Sequence, residues 1–216
     1  MVSIAKAPEE SIWPATILEL DALPPEPAVQ LTTSDTLGCV RAVLDKDDWA
    51  AVTTALVTQA SRLLGCSRVS LGWVTRDTLR VVALSDGVVL EDGLAIPELH
   101  QAMLEAAHQH ITLVWPSTRA MGARITLSHQ ALFKTQGLKG LVSVPLARQG
   151  RVVGVLTFER TVLTDPLKPK TSGVAVAGYF TPEQIEWIES LAEMAAPVLL
   201  LRHQIDLPWL ERHQMQ

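Results

Sequence analysis

The sequence predicts an α+β fold in which the first and last helices of one domain pack on the same face of an antiparallel sheet. Three observations predict it: a helical pattern in residues 47–65, two pairs of short β-rich runs that each enclose a polar turn, and a long helical pattern after Thr181. Their order of helix, hairpin, irregular middle, hairpin and helix leaves the second face of the sheet to the middle segments.

Residues 1–45 are predicted to form an acidic, proline-rich arm or linker ahead of the domain. Residues 23–27 read LPPEP, which is typical of turns, and the segment has no sustained hydrophobic period. The chain has a net charge of -5, and this arm holds much of the acidic excess. A nucleic-acid surface, which needs clustered Lys and Arg, is therefore not expected. A disordered leader and an arm folded back over the domain through residues 13–20 both remain open.

The first predicted helix has clear signals at both ends. Asp47 or Asp48 can cap its open N–H groups, and Gly65 follows it in a position that favours a left-handed cap. Apolar residues recur between these ends at spacings of three and four: Trp49, Val52, Leu56, Ala60 and Leu63.

Two antiparallel hairpins are predicted. Residues 67–74 and 79–86 form the first, and the second joins residues 141–147 to 151–160 through a polar turn, Arg148 to Gly150, with a residue at positive φ. Pro145 and Gly154 interrupt the two strands of the second hairpin, although both residue types usually weaken a strand.

The middle of the chain and its last helix complete the pattern. A helix at residues 97–110, a short strand at 111–116, a short helix at 128–136 and a long loop at 161–179 are predicted in turn. Thr181 can cap the last helix while Gln184 reaches back to it, and Pro197 should kink or divide this helix. The predicted domain therefore spans residues 46–205 and is followed by a tail at 206–216.

Residues 47–204 resemble the GAF domain family. The likeness is carried by residues 63–74, residues 136–160 and the last helix at 180–201. A VPL element followed by a turn and a VGVL strand is frequent in that family, so Pro145 and Gly154 are ordinary for its fold. The resemblance implies a PAS-related antiparallel sheet of about five or six strands, with an irregular cap and a ligand pocket on the face opposite the terminal helices.

A narrower resemblance connects the chain with GAF domains that precede membrane-fusion, or periplasmic adaptor, proteins of the haemolysin-secretion type. Six runs occur in the same order: RVSLGWV, LRVVALSD, ITLVWP, ARITLSHQAL, LVSVPL and VGVLTFER. This implies a cytoplasmic, non-catalytic sensing or regulatory domain of a larger signalling or secretion-related protein. Whether the chain is a fragment of a membrane-anchored protein or a freestanding relative remains open.

The family resemblance also implies candidate ligand contacts between the sheet and the cap. They are Trp73, Trp115, Met121, Arg124, Phe133, Ser143 and Thr157. Arg119 and Arg124 would suit an anionic ligand, but arginines in loops are more often simply solvated. Each of the seven candidates also has an ordinary interpretation as a core or loop residue.

The sequence predicts no catalytic, metal or cofactor site. The two cysteines, Cys39 and Cys66, are too few for a secreted disulfide framework and poorly placed as the nucleophile and resolving thiol of a free methionine sulfoxide reductase. The histidines lack the spacing of metal ligands and are expected to face solvent. Because the cysteines form no such framework and the N-terminus MVSIAKAPEE has no apolar core of a signal peptide, a cytoplasmic location is expected. No run approaches the roughly 18 apolar residues of a membrane span, so a soluble chain is expected.

A homodimer is predicted from the last helix, which is apolar on more sides than one sheet can cover. The expected interface residues are Trp49, Ile185, Ile188, Leu191, Val198 and Leu199. A dimerisation or interaction module without a ligand is accordingly the alternative to a small-molecule sensor.

Overall fold

The computed structural model describes residues 31–75, 78–85, 97–117, 124–161 and 179–206. These ranges contain five helices and five strands. In chain order they are α1 (Thr33–Leu44), α2 (Trp49–Leu64), β1 (Arg68–Thr75), β2 (Thr78–Leu84), α3 (Pro97–Gln109), β3 (Leu113–Trp115), α4 (Leu127–Thr135), β4 (Leu138–Arg148), β5 (Arg151–Thr161) and α5 (Pro182–Asp206). Residues 1–30 of the predicted arm, most of the predicted loop at 161–179 and most of the tail lie outside the described residues.

The five strands form one antiparallel sheet in the order β2-β1-β5-β4-β3. Alternate residues of a strand point to opposite faces, and the sheet separates two buried clusters. Helices α1, α2 and α5 cover one face, here called the α2/α5 face, and helices α3 and α4 cover the other, the α3/α4 face. The predicted α+β arrangement is confirmed.

The predicted helix ends are also confirmed. Asp48 accepts a hydrogen bond from the Ala51 amide at 2.8 Å, and Gly65 ends α2 with φ of 62°. Thr181 and Gln184 exchange the two bonds of a capping box, at 3.2 Å and 3.3 Å. These signals are local in sequence, so they determine where the helices begin and end.

The prediction of an arm through residue 45 is wrong for residues 33–44, which form α1. Thr32 and Asp35 make a capping box, and the buried side chains Thr36, Cys39 and Val43 recur on one face. One of these three is a polar threonine, which conceals the hydrophobic period. This helix packs against α2 and α5.

The hairpin of β4 and β5 is tighter than predicted. Gln149 and Gly150 alone form the turn, with φ of 52° and 77°, while Arg148 is already paired with Arg151. Two central residues at positive φ match the twist of the flanking strands. The positive φ is confirmed, but the turn has two residues rather than three.

Pro145 and Gly154 occupy positions that suit them. The pairing of β4 with β3 stops at Ser143, two residues before Pro145. At Pro145 the described partner of β4 is β5 alone. A Cβ atom on Gly154 would lie 2.7 Å from the carbonyl oxygen of Gly72 and 3.1 Å from the Trp73 ring. Because Gly154 has no Cβ, β5 and β1 can approach closely, and the Trp73 ring packs against this glycine.

Arg160 joins three elements on the α2/α5 face. Its Nη1 donates to the Tyr179 carbonyl at 2.7 Å and to Gln184 Oε1 at 3.0 Å, and its Nη2 donates to the Leu64 carbonyl at 2.6 Å. The guanidinium carbon also lies 4.1 Å from the centre of the Phe180 ring. One buried cation thus connects β5 with the end of α2 and the beginning of α5.

Helix α5 runs unbroken through Pro197, so the predicted division does not occur.

Ile188, Leu191 and Leu199 are fully buried against the same chain and cannot be interface residues on its surface, which corrects that part of the dimer prediction. Their burial follows from packing of α5 against α1, α2 and the sheet.

No helix in the described ranges is long and apolar enough to cross a membrane.

Candidate functional site

A row of hydroxyl side chains crosses the centre of the sheet on its α3/α4 face. Thr157 of β5 is the register partner of Ser70 in β1 and of Ser143 in β4, and all three residues are fully buried. The Oγ of Ser143 lies 2.9 Å from the Oγ1 of Thr157, within a hydrogen bond. We call Ser70, Ser143 and Thr157 the hydroxyl row.

An ion pair borders the hydroxyl row. Arg68 donates from Nε to Oε1 of Glu159 at 2.9 Å and from Nη2 to Oε2 at 2.6 Å. These residues precede Ser70 and follow Thr157 by two positions, so alternation places them on the same face. The two side chains are 18% and 2% exposed, and the bidentate geometry holds the strand ends in register.

Glu105 of α3 connects that helix with the first turn of α4. Its carboxylate accepts hydrogen bonds from the amides of Ser128 and His129, at 3.0 Å and 3.1 Å, and lies 2.6 Å from His129 Nδ1. Thr126, the residue at the start of α4, makes no side-chain cap. Glu105 therefore supplies the cap from a different helix, and a negative charge is favourable there.

The imidazole of His129 is fully buried beside this carboxylate. Burial lowers its pKa below the ordinary value, more than the Glu105 carboxylate raises it, so the ring is neutral at pH 7. Because the carboxylate can only accept, the proton lies on Nδ1 and Nε2 is an acceptor.

Two buried polar atoms on this face have no hydrogen-bond partner within the described residues: the Oγ of Ser70 and the Nε2 of His129. Such atoms are uncommon, because an unmade hydrogen bond in the interior costs roughly 1–3 kcal/mol. Ser70 lies in the sheet and His129 in the layer of helices above it. An ordered water or a polar ligand on the α3/α4 face would satisfy them.

The structure groups most of the predicted ligand contacts on this face. Ser143 and Thr157 belong to the hydroxyl row, and Trp115 and Phe133 lie edge to face with ring centres 6.5 Å apart. Arg124 is exposed and donates to the Thr112 carbonyl, so it holds the chain that leads into α4.

Trp73 does not belong with them. Its side chain lies on the α2/α5 face, 4.9 Å from the Trp49 ring and 5.1 Å from the His203 ring, so the prediction that it faces the cap is wrong. The reason is strand alternation, which puts Ser70 and Gly72 rather than Trp73 on the α3/α4 face. Met121 and Arg119 lie outside the described residues.

The sequence interpretation missed Ser70, Glu105 and His129. The expectation of solvent-facing histidines is wrong for His129, which is fully buried, and the spacing of three between His129 and buried Leu132 was the available signal. For Ser70 the signal was its place between the apolar residues Val69 and Leu71. The contact between Glu105 and His129 had no signal, because it joins two helices.

Both thiols lie on the other side of the sheet, among the residues of the α2/α5 face. Burial raises the pKa of the Cys39 thiol to about 11 and that of the Cys66 thiol to about 12. Both cysteines are therefore protonated at neutral pH. In the part of the chain that the structure describes, no group of His, Cys, Asp and Glu side chains is placed to hold a metal ion.

Comparison with known proteins identifies the family to which this fold belongs. The profile of the GAF domain family matches residues 48–199. The chain belongs to the GAF domain family. No match to a curated protein was found.

Solved structures agree with this assignment at the level of the fold. The GAF domain of a phosphoenolpyruvate-protein phosphotransferase from Acinetobacter is 12% identical, with a TM-score of 0.51 over 80% of this chain and 95% of that one. The GAF domain of nlh2 from A. aeolicus is 14% identical, with a TM-score of 0.51 over 79% and 96%. A free methionine-R-sulfoxide reductase from Neisseria meningitidis is 18% identical, with a TM-score of 0.51 over 80% and 90%.

Proposed function

We propose that this chain is a non-catalytic regulatory GAF domain that senses a small polar molecule on the α3/α4 face of its sheet. The observation that carries the proposal is the pair of buried atoms, Ser70 Oγ and His129 Nε2, that have no partner among the described residues. Binding at this face would act on α3 and α4 together, since Glu105 joins the two helices. A ligand that prefers one arrangement of these helices shifts the population towards it.

The two atoms define the chemistry of the ligand. A neutral His129 with its proton on Nδ1 presents a lone pair at Nε2, and Ser70 presents a hydroxyl that can donate or accept. The ligand therefore carries at least one N–H or O–H donor and is small enough to lie between the sheet and the helices. Trp115 and Phe133 supply aromatic surface on the same face.

The thiols support a role without catalysis. A redox cycle of the methionine sulfoxide reductase type needs a reactive thiolate, and both thiols of this chain have a raised pKa. They also lie on the face opposite Ser70 Oγ and His129 Nε2. A reductase activity is the least supported reading of the site.

Native mass spectrometry of the full chain tests the proposal. The expected result is a small-molecule adduct on the wild-type protein that is lost from the Ser70→Ala and His129→Asn variants. Asparagine keeps a donor for the Glu105 carboxylate but removes the acceptor at Nε2.

The matched control is Thr53→Val, which removes a fully buried hydroxyl from the opposite side of the sheet. This variant should keep the adduct. Wild-type protein without any adduct, or an adduct retained by both site variants, contradicts the proposal.

A second candidate function is a ligandless interaction module, and exposed apolar side chains favour it. Leu37 and Leu44 of α1 are 53% and 51% exposed, and Leu201 and Ile205 of α5 are 59% and 53% exposed. The two helices meet where Arg202 donates to the Leu44 carbonyl at 2.9 Å. Exposed apolar surface of this kind is typical of an interface, so a homodimer remains part of the proposal.

The wider role proposed is the regulatory part of a larger signalling or secretion-related protein with a cytoplasmic location. Its support is the family membership of residues 48–199 together with the order of the short runs in the sequence. The likeness to GAF domains of membrane-fusion adaptor proteins rests on the sequence alone and stays a prediction.

A further inference from the structure

A cavity of about 400 Å³ lies at the edge of the α2/α5 face, away from the hydroxyl row. It is open to solvent on one side, and the end of β1, the hairpin turn of β4 and β5, and the last turns of α5 border it. Its lining includes Trp73, Arg148, Arg151, Val153, Leu200 and His203. A volume of this size lies within the range of small-molecule sites, roughly 300–1,000 Å³.

The polar side of the cavity is cationic. Arg148 and Arg151 are register partners on either side of the turn, so their side chains leave the hairpin on the same face. Like charges directly opposite one another destabilise a strand pair. No acidic side chain belongs to the lining that the structure describes, and no ion pair of either arginine occurs among the described residues. An anion placed between the two guanidinium groups would relieve their repulsion.

The other side of the cavity is apolar and aromatic. Trp73 is 3% exposed and forms part of the floor, where the rings of Trp49 and His203 pack around it. Val153 is the residue of β5 that the register skips, in a β-bulge opposite the step from Leu146 to Ala147. Bulges re-aim side chains and occur often beside functional sites.

We infer that this cavity is a binding site for a small aromatic carboxylate, with the carboxylate between Arg148 and Arg151 and the ring towards Trp73 and Leu200. Guanidinium groups bind carboxylates through charge-assisted hydrogen bonds, and an aromatic body fits the apolar floor. The inference goes beyond the proposed sensing site and does not depend on it, because the hydroxyl row lies on the opposite face of the sheet.

Occupancy of this cavity has a structural consequence for α5. Leu200, His203 and Gln204 belong to the last two turns of that helix, whereas the arginines belong to the hairpin. A ligand in contact with both would connect the end of α5 to the sheet. Binding therefore stabilises the end of α5, which is the described end of the domain.

Isothermal titration calorimetry of the full chain with naphthoate tests the inference. Two comparison compounds have the same naphthalene ring as naphthoate but a different charge: naphthylmethanol is neutral and naphthylmethylamine is cationic. Naphthoate should bind at least about tenfold more tightly than naphthylmethanol, as expected for a contact with a charged group, and naphthylmethylamine should bind most weakly.

The variants Arg148→Met and Arg151→Met should each weaken naphthoate binding by about tenfold, because methionine keeps an apolar stem but loses the charge. Arg62→Met is the matched control, since Arg62 is exposed in the last turn of α2 and does not line the cavity. Naphthoate should also slow hydrogen exchange in residues 200–206.

Equal binding of naphthoate and naphthylmethanol, or equal effects of the Arg62 variant and the two cavity variants, would overturn the inference. The Ser70→Ala variant separates it from the proposed function: naphthoate binding should survive that substitution. Loss of naphthoate binding in Ser70→Ala would place the carboxylate on the α3/α4 face and also overturn the cavity site.

Discussion

The carboxylate of Glu105 in α3 contacts His129 of α4 twice, at 2.6 Å from Nδ1 and at 3.1 Å from the backbone amide. One side chain thereby caps a helix and determines which nitrogen of a buried imidazole carries the proton. The contact joins residues that are 24 positions apart in the chain. The stability of α4 and the polarity of the candidate site consequently depend on the same carboxylate.

Replacing Glu105 with glutamine should lower the free energy of unfolding by about 2 kcal/mol, because the cap of α4 becomes neutral and one acceptor oxygen becomes a donor. Urea denaturation of the full chain measures the change. Glu189→Gln, at an exposed position of α5, is the control and should have little effect. Equal stability of the two variants would show that Glu105 does not cap α4.

The stability of the fold should depend on pH through His129. Burial lowers the pKa of its imidazole below 6.5, so the unfolded chain takes up a proton at higher pH than the folded chain. The free energy of unfolding should therefore decrease as the pH falls from 6.5 to the pKa of the folded state. Above pH 6.5 the ring is neutral in both states, so His129 should not make the free energy of unfolding depend on pH.

Urea denaturation at a series of pH values from about 7.5 to 5 measures this slope. The His129→Asn variant should show a smaller decrease than the wild type over that interval. The control is His108→Asn, because His108 is exposed on α3. A His129 variant with the wild-type slope would show that another group causes the acid sensitivity.

Arg160→Met should be among the most damaging substitutions outside the site. It removes the arginine donor from the carbonyl groups of Leu64 and Tyr179 and one of the two donors to Gln184 Oε1, at a cost of roughly 3 kcal/mol. Thermal unfolding of the variant beside Arg62→Met, an exposed arginine, measures the difference. A decrease in melting temperature no larger than that of Arg62→Met would contradict the role of Arg160 in joining α2, β5 and α5.

Two glycine substitutions should have opposite effects. Gly154→Ala places a Cβ 2.7 Å from the Gly72 carbonyl oxygen, so it should destabilise the fold by about 1–3 kcal/mol. Gly38→Ala meets nothing within 4 Å and lies in α1, so it should stabilise by about 0.5–1 kcal/mol. A urea midpoint of Gly154→Ala no lower than that of the wild type would disprove the close approach between β5 and β1.

Association should depend on the exposed apolar residues of α1 and α5 rather than on the buried stripe of α5. Leu44→Glu combined with Leu201→Glu should convert a dimer into a monomer in analytical ultracentrifugation. Leu127→Glu is the control, because Leu127 is 72% exposed on the opposite side of the sheet. A wild-type chain that stays monomeric at high micromolar concentration would exclude this interface.

The candidate site was only partly predictable from the sequence. The family resemblance pointed to Ser143, Thr157, Trp115 and Phe133, and these residues do lie on the α3/α4 face. It misplaced Trp73, because composition alone does not reveal which residues of a strand face which layer. Alternation fixes the relative orientation of Ser70 and Trp73, but only the packed helices determine which face each one meets.

The sequence by itself determined the elements whose signals are local. The caps at Asp48, Gly65 and Thr181 and the positive φ of the β4–β5 turn involve residues only a few positions apart, so the backbone has few alternatives there. Only the tertiary structure decided the strand order β2-β1-β5-β4-β3, the docking of α1 and the contact between Glu105 and His129. These three features depend on burial and hydrogen bonding between segments that are distant in the chain. Such contacts stabilise the fold only after the core has brought the segments together.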